Sequence, residues 1–180
     1  METKNLVIRE SVFSDCQLFA EWESNPVVSQ YFTIDDDRDY EAVVKEYIDC
    51  DSQDKFLQMT ITLKPDEKPI GRLVISNINE RNDSLKIARI YIADPEYRNK
   101  GYGTETMNKI LEYSFINLHM ERVTATIFPA NKNANYLLDS LGFVDEGILR
   151  NAGKKNGRYF DLQLKSMLRS EYLEGKRTKN

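Results

Sequence analysis

The chain has 180 residues, 41% hydrophobic and 30% charged, and its 25 Lys and Arg residues against 29 Asp and Glu residues give a formal net charge of −4. This length and composition predict one globular domain, residues 1–180, with a sizeable core, and the lack of excess basic charge argues against a nucleic-acid partner. We find no apolar run long enough for a membrane span, no signal-peptide core and no metal-ligand spacing around the two cysteines. We therefore expect a cytoplasmic protein with reduced cysteines, no membrane partner and no bound metal.

The N-terminal third predicts a strand followed by two helices. In order, these are a strand at Leu6–Arg9, a helix that starts with a capping box at Ser14 and ends before Asn25-Pro26, and a helix from about Asp39 to Cys50. An acidic run, Asp35-Asp36-Asp37, lies between the helices. We interpret it either as helix capping and dipole matching or as a rim that attracts a cationic acceptor.

The middle of the chain predicts a hairpin and then a central strand. The elements are strands at Phe56–Leu63 and Ile70–Ser76, a polar turn at Asn79–Asp83, and a short β-prone run at Ile87–Ala93. Beyond the central strand, Met107, Ile110 and Leu111 recur at the period of an amphipathic helix.

Between that strand and that helix lies a basic loop, Arg98-Asn99-Lys100-Gly101-Tyr102-Gly103-Thr104. Its glycines let a ligand approach the backbone, and the first amides of the helix have no partner within the helix. With the helix dipole and the charges of Arg98 and Lys100, the loop predicts an anion site suited to a phosphate or pyrophosphate. The lysine and hydroxyl residue of a P-loop are missing, as is the third glycine of a dinucleotide loop. The alternative is a turn that only joins strand to helix.

The last third predicts a strand, a helix and a closing hairpin. They are a strand at Arg122–Phe128, a helix at Asn131–Leu141 stopped by Gly142, and a hairpin of Phe143–Leu149 and Tyr159–Lys165 around a turn at Gly153–Gly157. From Ser170 the sequence predicts a frayed, solvated tail. The order of elements is that of one mixed α/β domain.

The pattern Arg98-x-x-Gly101-x-Gly103, between a strand and an amphipathic helix, resembles the signature of the GNAT superfamily of acyl-CoA N-acyltransferases. The chain looks closest to the branch of ribosomal-protein N-terminal and spermidine N-acetyltransferases, through Leu6-x-Ile8-Arg9, Asn131-x-x-Ala134, Leu141-Gly142-Phe143 and Gly157-x-x-x-Asp161. The resemblance covers nearly the whole chain. It implies the GNAT fold, an α/β (α+β) architecture with a single mixed, largely antiparallel twisted sheet of six to seven strands flanked by about four helices.

The resemblance also implies transfer of an acetyl group from the cosubstrate acetyl-CoA to a primary amine: a protein N-terminus, a polyamine, an amino acid or an aminoglycoside. The resemblance implies that pantetheine pairs with the backbone of Ile90, Tyr91 and Ile92, at a splay between the fourth and fifth strands. The pyrophosphate would be held by Arg98, Asn99, Lys100, Gly101, Tyr102, Gly103 and Thr104. The cofactor arm would contact Asn131. Asn131 is alternatively, or in addition, a helix cap. Because relatives assemble, we expect a homodimer or a higher homo-oligomer.

Attack of an amine on a thioester is assisted by a general base and by a donor for the oxyanion. The hydroxyl residues that relatives carry on the second helix of the cofactor site are replaced by Leu138 and Ala134, and the place of their fourth-strand carboxylate is close to Ala88. The catalytic candidates are Tyr136 and Glu146, with Asp161 and Glu23 as further carboxylates; Trp22, Tyr31 and Phe32 are candidates for an acceptor pocket.

Each candidate has a structural alternative. Tyr136 and the three aromatic residues are alternatively packing residues, and Glu146 is alternatively a solvated strand residue. Catalysis by positioning with a proton relayed through water would need no strong acid or base. Besides an N-acetyltransferase, the alternatives are a non-catalytic acyl-CoA-binding sensor or interaction module, which the missing hydroxyls favour, and a phosphate-binding module for another nucleotide.

Overall fold

A computed structural model describes residues 1–64 and 66–177 of the chain. Its strands are β1 (Leu6–Glu10), β2 (Leu57–Leu63), β3 (Pro69–Asn79), β4 (Ser84–Ile92), β5 (Arg122–Ile127), β6 (Val144–Lys155) and β7 (Arg158–Leu168). The helices are α1 (Asp15–Glu23), α2 (Pro26–Ser29), α3 (Tyr40–Asp51), α4 (Tyr102–Glu112), α5 (Lys132–Leu141) and α6 (Arg169–Arg177). A 3-10 turn at Pro95–Tyr97 precedes α4, and a π-helical segment at Tyr113–Asn117 follows it.

All seven strands form one sheet in the order β1-β2-β3-β4-β5-β7-β6. Neighbouring strands are antiparallel except β4 and β5, which are parallel. This confirms the predicted mixed, largely antiparallel sheet. The described chain has six helices rather than about four, because α2 and α6 form where the sequence predicted a loop and a tail.

The prediction of a frayed tail from Ser170 is wrong as far as Arg177, where α6 ends. Tyr172 is the reason, since it is only 9% exposed and its ring lies 5.0 Å from that of Phe115, centroid to centroid. One buried aromatic anchor therefore holds a helix whose other residues are mostly polar. Residues 178–180 lie outside the described residues.

The predicted capping box at Ser14 is also wrong, because the Ser14 side chain makes no capping hydrogen bond. The carboxylate of Asp15 makes the hydrogen bonds at the start of α1 instead. It accepts a hydrogen bond of 2.9 Å from the Val12 amide and two from Arg9, at 2.7 and 2.9 Å. A carboxylate is the stronger acceptor, and the cation on β1 holds it in place.

The two faces of the sheet differ in chemistry. One face is apolar and packs against α4 and α5, with its core formed by strand residues such as Leu6, Ile61, Leu73, Ile75 and Ile87. The opposite face lies under α1 and α3 and is polar, since it carries buried Thr60 and fully buried Arg72. The side-chain alternation of β-strands separates these two sets of residues.

The sheet opens between β4 and β5. Their parallel pairing ends at Ile87 and Ala125, although β4 continues to Ile92. At the same level, β4 has a bulge. Ile87 pairs with Ile75 of β3 and Arg89 pairs with Val74, so that Ala88 between them has no partner on β3. Ala88 is exposed in spite of its position in the central strand. The expected splay between the fourth and fifth strands is therefore present.

Candidate functional site

The loop that follows β4 is fixed to the end of that strand by Arg98. Its Nε donates a hydrogen bond of 2.9 Å to the carbonyl of Ile92, and a terminal nitrogen donates another to the carbonyl of Ala93. The sequence predicted that Arg98 would add its charge to an anion site in which backbone amides hold the pyrophosphate, and this stays a prediction. In the structure the guanidinium holds the loop and the start of α4 against the open end of β4.

A row of free backbone amides follows Arg98. In the described part of the chain, the backbone amides of residues 99–104 donate no hydrogen bond. The next amide, that of Glu105, donates a hydrogen bond of 2.9 Å to the carbonyl of Gly101. Gly101 has φ of 83°, a left-handed conformation that favours glycine. A side chain added at Gly103 would meet no atom within 4 Å. The loop thus presents unpaired donors and open space at the positive end of a helix dipole.

The three predicted pantetheine residues lie on the free edge of β4, beyond the last pair with β5. Ile90 and Ile92 pack against the apolar core on the α4 side. Tyr91 points to the opposite face, where its hydroxyl donates a hydrogen bond of 3.0 Å to Glu23. Burial and the neighbouring Glu23 carboxylate raise the pKa of Tyr91 well above its usual range, so this phenol stays protonated.

Two of the three predicted acceptor-pocket residues pack on Tyr91. The ring of Trp22 lies 6.2 Å from that of Tyr91 at 90°, and the ring of Phe32 lies 5.8 Å from it. Val28 of α2 belongs to the same cluster. Tyr31 is 36% exposed and lies outside this cluster. The structure therefore brings Trp22 and Phe32, but not Tyr31, to the side of β4 that faces away from α4.

A buried ionic network supports this aromatic wall. Glu23, whose side chain is 0% exposed, lies 2.8 Å from Arg72, 3.1 Å from Arg38 and 3.1 Å from Arg89. Glu46 of α3 lies within 3.2 Å of the same three arginines. Glu23 was a candidate carboxylate for catalysis, and the structure places it in this buried network, in contact with three guanidinium groups.

The two predicted catalytic residues do not meet at the splay. Tyr136 is 78% exposed on α5. Glu146 lies on β6, three strands from β4, or roughly 14 Å at ~4.8 Å per strand. Hydrogen bonds from Arg122 and then Ser166 lower the pKa of Glu146 to about 2. Such a carboxylate is a weak base, and the geometry gives it a role in joining β6 to β5.

Other predicted residues have local structural partners. Asn131 is the N-cap of α5, since its side chain accepts a hydrogen bond of 3.1 Å from the Ala134 amide. Its contact with a cofactor stays a prediction. Asp161 accepts a hydrogen bond of 2.8 Å from the Asn151 amide at the irregular part of β6. Asp39 is the N-cap of α3, since its carboxylate accepts a hydrogen bond of 2.9 Å from the Ala42 amide.

The rest of the acidic run forms a clasp, defined here as the contacts of Asp35 and Asp36 with the β6–β7 turn. Lys155 lies 2.7 Å from the carboxylate of Asp36 and donates a hydrogen bond of 3.0 Å to the carbonyl of Ser29. Asn156 exchanges hydrogen bonds with both aspartates, including one of 2.9 Å from the Asp36 amide to its side chain. Neither predicted role of Asp35 and Asp36 includes this attachment of the α2–α3 loop to the hairpin.

Beside the clasp lies a groove of about 490 Å³, called here the α2–hairpin groove. It is lined by Pro26, Gln30, Asp36, Lys155, Arg158 and Phe160, among others. Phe160 packs edge-on against Phe128, with ring centroids 5.3 Å apart, and Phe128 directly follows β5. The groove therefore lies between α2, the α2–α3 loop and the β6–β7 hairpin.

Comparison with known proteins identifies the family. A model of the acetyltransferase (GNAT) domain matches residues 5–144, which is more than half of the chain. The chain belongs to the GNAT acetyltransferase family. The chain is 27% identical over 173 residues to the uncharacterized N-acetyltransferase p20 of Bacillus licheniformis, covering 94% of this chain and 96% of that protein. It is 35% identical over 104 residues to a spermidine N(1)-acetyltransferase of Vibrio cholerae, covering 58% of this chain and 59% of the relative.

Solved structures agree with the fold. The crystal structure of spermidine N-acetyltransferase from Vibrio cholerae in complex with CoA and spermine has a TM-score of 0.83 and 24% identity to this chain, covering 95% of this chain and 99% of that one. At this identity the likeness establishes the fold, and the predicted GNAT architecture is confirmed.

Sequence reasoning about this GNAT acetyltransferase missed the groove and the network. The signals were present: Arg72 and Arg89 interrupt otherwise apolar strands at positions that face α1 and α3. Among the described residues, no group of His, Cys, Asp or Glu side chains is arranged to hold a metal ion, and no helix has the length and apolar character to cross a membrane.

Proposed function

We propose that this acetyltransferase transfers the acetyl group of acetyl-CoA to a primary amine. The observation that carries the proposal is the coincidence of two unpaired backbone edges at one end of β4. One is the row of free amides at residues 99–104, and the other is the free edge of β4 from Ala88 to Ile92. A pyrophosphate at the first edge and a pantetheine arm along the second would satisfy both sets of groups.

The reaction requires few side chains. The free amine nitrogen bonds to the acetyl carbon, an amide of β4 beside the bulge donates to the oxyanion, and the carbon–sulfur bond then breaks. The nitrogen loses a proton and the leaving thiolate takes one up, through water where no side chain reaches. We propose that the amine acceptor approaches from the side of the α2–hairpin groove, between α2 and the β6–β7 hairpin. Positioning of the two substrates supplies most of the rate enhancement in this scheme.

The test of the cofactor site is Gly103→Asp, with Gly103→Asn as the matched control. Gly103 is the second residue of α4 and has open space around its Cα, so both side chains fit, and an aspartate in the first turn suits the helix dipole. We expect Gly103→Asp to weaken acetyl-CoA binding in calorimetry by roughly tenfold or more, because it places a carboxylate beside the diphosphate.

Gly103→Asn separates charge from bulk, and we expect it to bind more tightly than Gly103→Asp. Equal binding of acetyl-CoA by Gly103→Asp and the unchanged protein would contradict the assignment of the loop. Absence of binding by the unchanged, folded protein would refute the proposed cosubstrate, and comparison with ATP and NAD would then test the loop as a site for another nucleotide.

A second candidate function is a non-catalytic acyl-CoA sensor. Leu138, which stands where relatives carry a tyrosine, is buried in the core at 4% exposure, and Tyr136 points to solvent. Turnover of acetyl-CoA with any amine would exclude the sensor. Tight binding of acetyl-CoA without acetylation of any amine in a broad panel would support it.

We also propose a homo-oligomer. A dodecameric structure of spermidine N-acetyltransferase from Vibrio cholerae has a TM-score of 0.77 to this chain, with 24% identity.

A further inference from the structure

Lys86 lies in β4 on the face of the sheet opposite the apolar core. Its neighbours in sequence, Leu85 and Ile87, belong to that core, and side chains alternate between the two faces along a strand. The residues paired with Lys86 across the sheet are Ser76 of β3 and Thr124 of β5. Lys86 is partly buried, and neither of these cross-strand neighbours carries a charge.

Lys86 differs from the other lysines that the fold buries, because each of those has a carboxylate partner. Lys165 lies 2.7 Å from Asp139, and Lys155 lies 2.7 Å from Asp36. Lys86, in contrast, forms no ion pair and no hydrogen bond within residues 1–64 and 66–177. Burial disfavours the charged form and lowers the pKa of the Lys86 ammonium below its ordinary value. The neutral amine, which is the nucleophilic form, is therefore more populated than in an exposed lysine.

The charged residues that flank Lys86 on this face of β4 and β5 already have partners. Arg89 of β4 lies 3.1 Å from Glu23. Arg122 of β5 donates a hydrogen bond of 2.6 Å to Glu146. These carboxylates are thus engaged by arginines, and the Lys86 amine is left without a counterion.

The proposed course of the cofactor brings the thioester close to this amine. The loop of free amides is tied to the Ile92 end of β4, so a pantetheine arm that starts there runs along the free edge of the strand toward Ala88. The pairing of Ile87 with Ala125 closes the opening at that point. The acetyl group would therefore lie beside Ala88, two residues beyond Lys86.

We propose that Lys86 is a site of self-acetylation, at which the protein transfers the acetyl group of its own bound acetyl-CoA to the side-chain nitrogen. The inference rests on the proposed function, which places the thioester at this end of the splay. Two residues along a strand span roughly 7 Å, a distance comparable to the length of an extended lysine side chain. Lys86 is a primary alkyl amine, the acceptor class of the proposed reaction, and the fold holds it next to the opening.

The step needs no reactant other than acetyl-CoA. The neutral Nζ of Lys86 attacks the carbonyl carbon, the nitrogen–carbon bond forms, and the carbon–sulfur bond breaks. The nitrogen gives a proton to water, and the CoA thiolate takes one up. The product is an uncharged acetyl-lysine, so the modification also removes a partly buried charge that has no partner.

The experiment incubates the purified protein with acetyl-CoA that carries an isotopically labelled acetyl group, without an amine acceptor. Peptide mass spectrometry follows the label at each lysine over time. Lys100, in the loop of free amides, and Lys55, ahead of β2, are both exposed and serve as internal controls for spontaneous acetylation. Two variants complete the test: Lys86→Arg keeps the positive charge but cannot be acetylated, and Gly103→Asp weakens the binding of acetyl-CoA.

We expect Lys86 to be labelled at least about tenfold faster than Lys100 and Lys55, because bound acetyl-CoA has a high effective concentration beside it. Lys86→Arg should remove the fast labelling from the intact protein. Gly103→Asp, at an acetyl-CoA concentration below its Kd, should slow the labelling of Lys86 by roughly tenfold.

Three results would overturn the inference: no label at Lys86, equal rates at the three lysines, or labelling of Lys86 that does not fall with the loss of acetyl-CoA binding in Gly103→Asp. Each of them, with acetyl-CoA still bound by the unchanged protein in calorimetry, leaves the proposed cosubstrate intact. Absence of acetyl-CoA binding by the unchanged protein would refute the proposed function itself.

Discussion

Single buried charges decide much of the local structure around the splay. Arg72 is 0% exposed, packs over the ring of Phe19 at 4.2 Å, and contacts both Glu23 and Glu46. A buried ion pair contributes little over an apolar replacement, but loss of one partner leaves the others uncompensated. The three arginines around two carboxylates therefore make each carboxylate hard to remove, and they fix α1 and α3 on the polar face of the sheet.

Glu46 makes the stability of the protein depend on pH. Burial raises its pKa, but attraction to Arg89, Arg72 and Arg38 outweighs burial and lowers the pKa to about 2. Because the folded pKa lies below the unfolded value of about 4.5, the stabilisation is complete above pH ~4.5 and is lost as the pH falls toward 2. At 1.36 kcal/mol per pKa unit, this contribution is about 3 kcal/mol.

We expect Glu46→Gln to be less stable than the unchanged protein at pH 7 by a similar amount. The difference between the two proteins should shrink as the pH falls from ~4.5 to ~2, because protonation then removes the same charge from the unchanged protein. Urea unfolding at several pH values measures this difference in the free energy of unfolding. The control is Glu41→Gln, because Glu41 is an exposed residue of the same helix. A difference that stays constant across this pH range would contradict the assignment.

At the scale of elements, the clasp joins parts of the chain about 120 residues apart and forms one wall of the α2–hairpin groove. Its geometry depends on the tight β6–β7 turn, in which Asn156 and Gly157 have φ of 49° and 74°. Asparagine followed by glycine is the pair that such two-residue hairpin turns favour. The turn in this way places the Asn156 side chain against the α2–α3 loop.

Lys155→Met is expected to loosen the α2–α3 loop. The methionine keeps the apolar stem but cannot bind Asp36 or the Ser29 carbonyl, whereas Asp36, with 57% of its side chain exposed, stays solvated. We expect amide hydrogen exchange at residues 29–36 to become about fivefold faster, which corresponds to loss of ~1 kcal/mol for a pair near the surface. Lys154→Met is the control, and equal exchange rates in the two variants would show that the clasp does not hold the loop.

At the scale of the whole molecule, β6 forms one edge of the sheet, and every residue from 144 to 152 is exposed. The exposed residues include apolar Val144, Ile148 and Leu149, at 51%, 50% and 39%. An exposed apolar edge strand is a surface on which another strand can pair. The proposed homo-oligomer would cover this edge with a second copy of the chain.

Ile148→Lys is expected to reduce the oligomeric state, because it places a charge on that edge. Light scattering after size-exclusion chromatography, or sedimentation velocity, measures the mass in solution. Ile116→Lys is the matched control, since Ile116 is 41% exposed on the π-helical segment instead of the edge. A monomeric unchanged protein, or an oligomer that survives Ile148→Lys but not the control change, would contradict assembly through β6.

Much of the fold was predictable because its signals are local. Turn residues and hydrophobic period placed the strands β2, β3, β5 and β7 close to their observed ends, and Asn131 and Gly142 marked both ends of α5. The elements that the sequence missed depend on distant contacts. The last helix exists because Tyr172 packs against Phe115, 57 residues earlier, and no local pattern around Ser170 indicates that contact.

The candidate site was also predictable from the sequence only in part. The anion loop was predictable from a local pattern, since glycines and basic residues before an amphipathic helix indicate unpaired amides at a positive helix end. The hydrogen bonds of Arg98 to the carbonyls of Ile92 and Ala93 were not predictable, because they depend on where β4 ends. Nor were the roles of Glu146 and Glu23, whose partners Arg122 and Arg72 come from other strands.

By itself, the sequence determined the order of elements, the apolar and polar faces of the helices and the loop that begins α4, because backbone preferences and side-chain period act over a few residues. Tertiary structure alone decided which charges pair, as in the network around Glu23 and Glu46, and at which residues the pairing of β4 with β5 ends. These properties depend on distances between residues far apart in the chain, and such distances exist only once the sheet has formed.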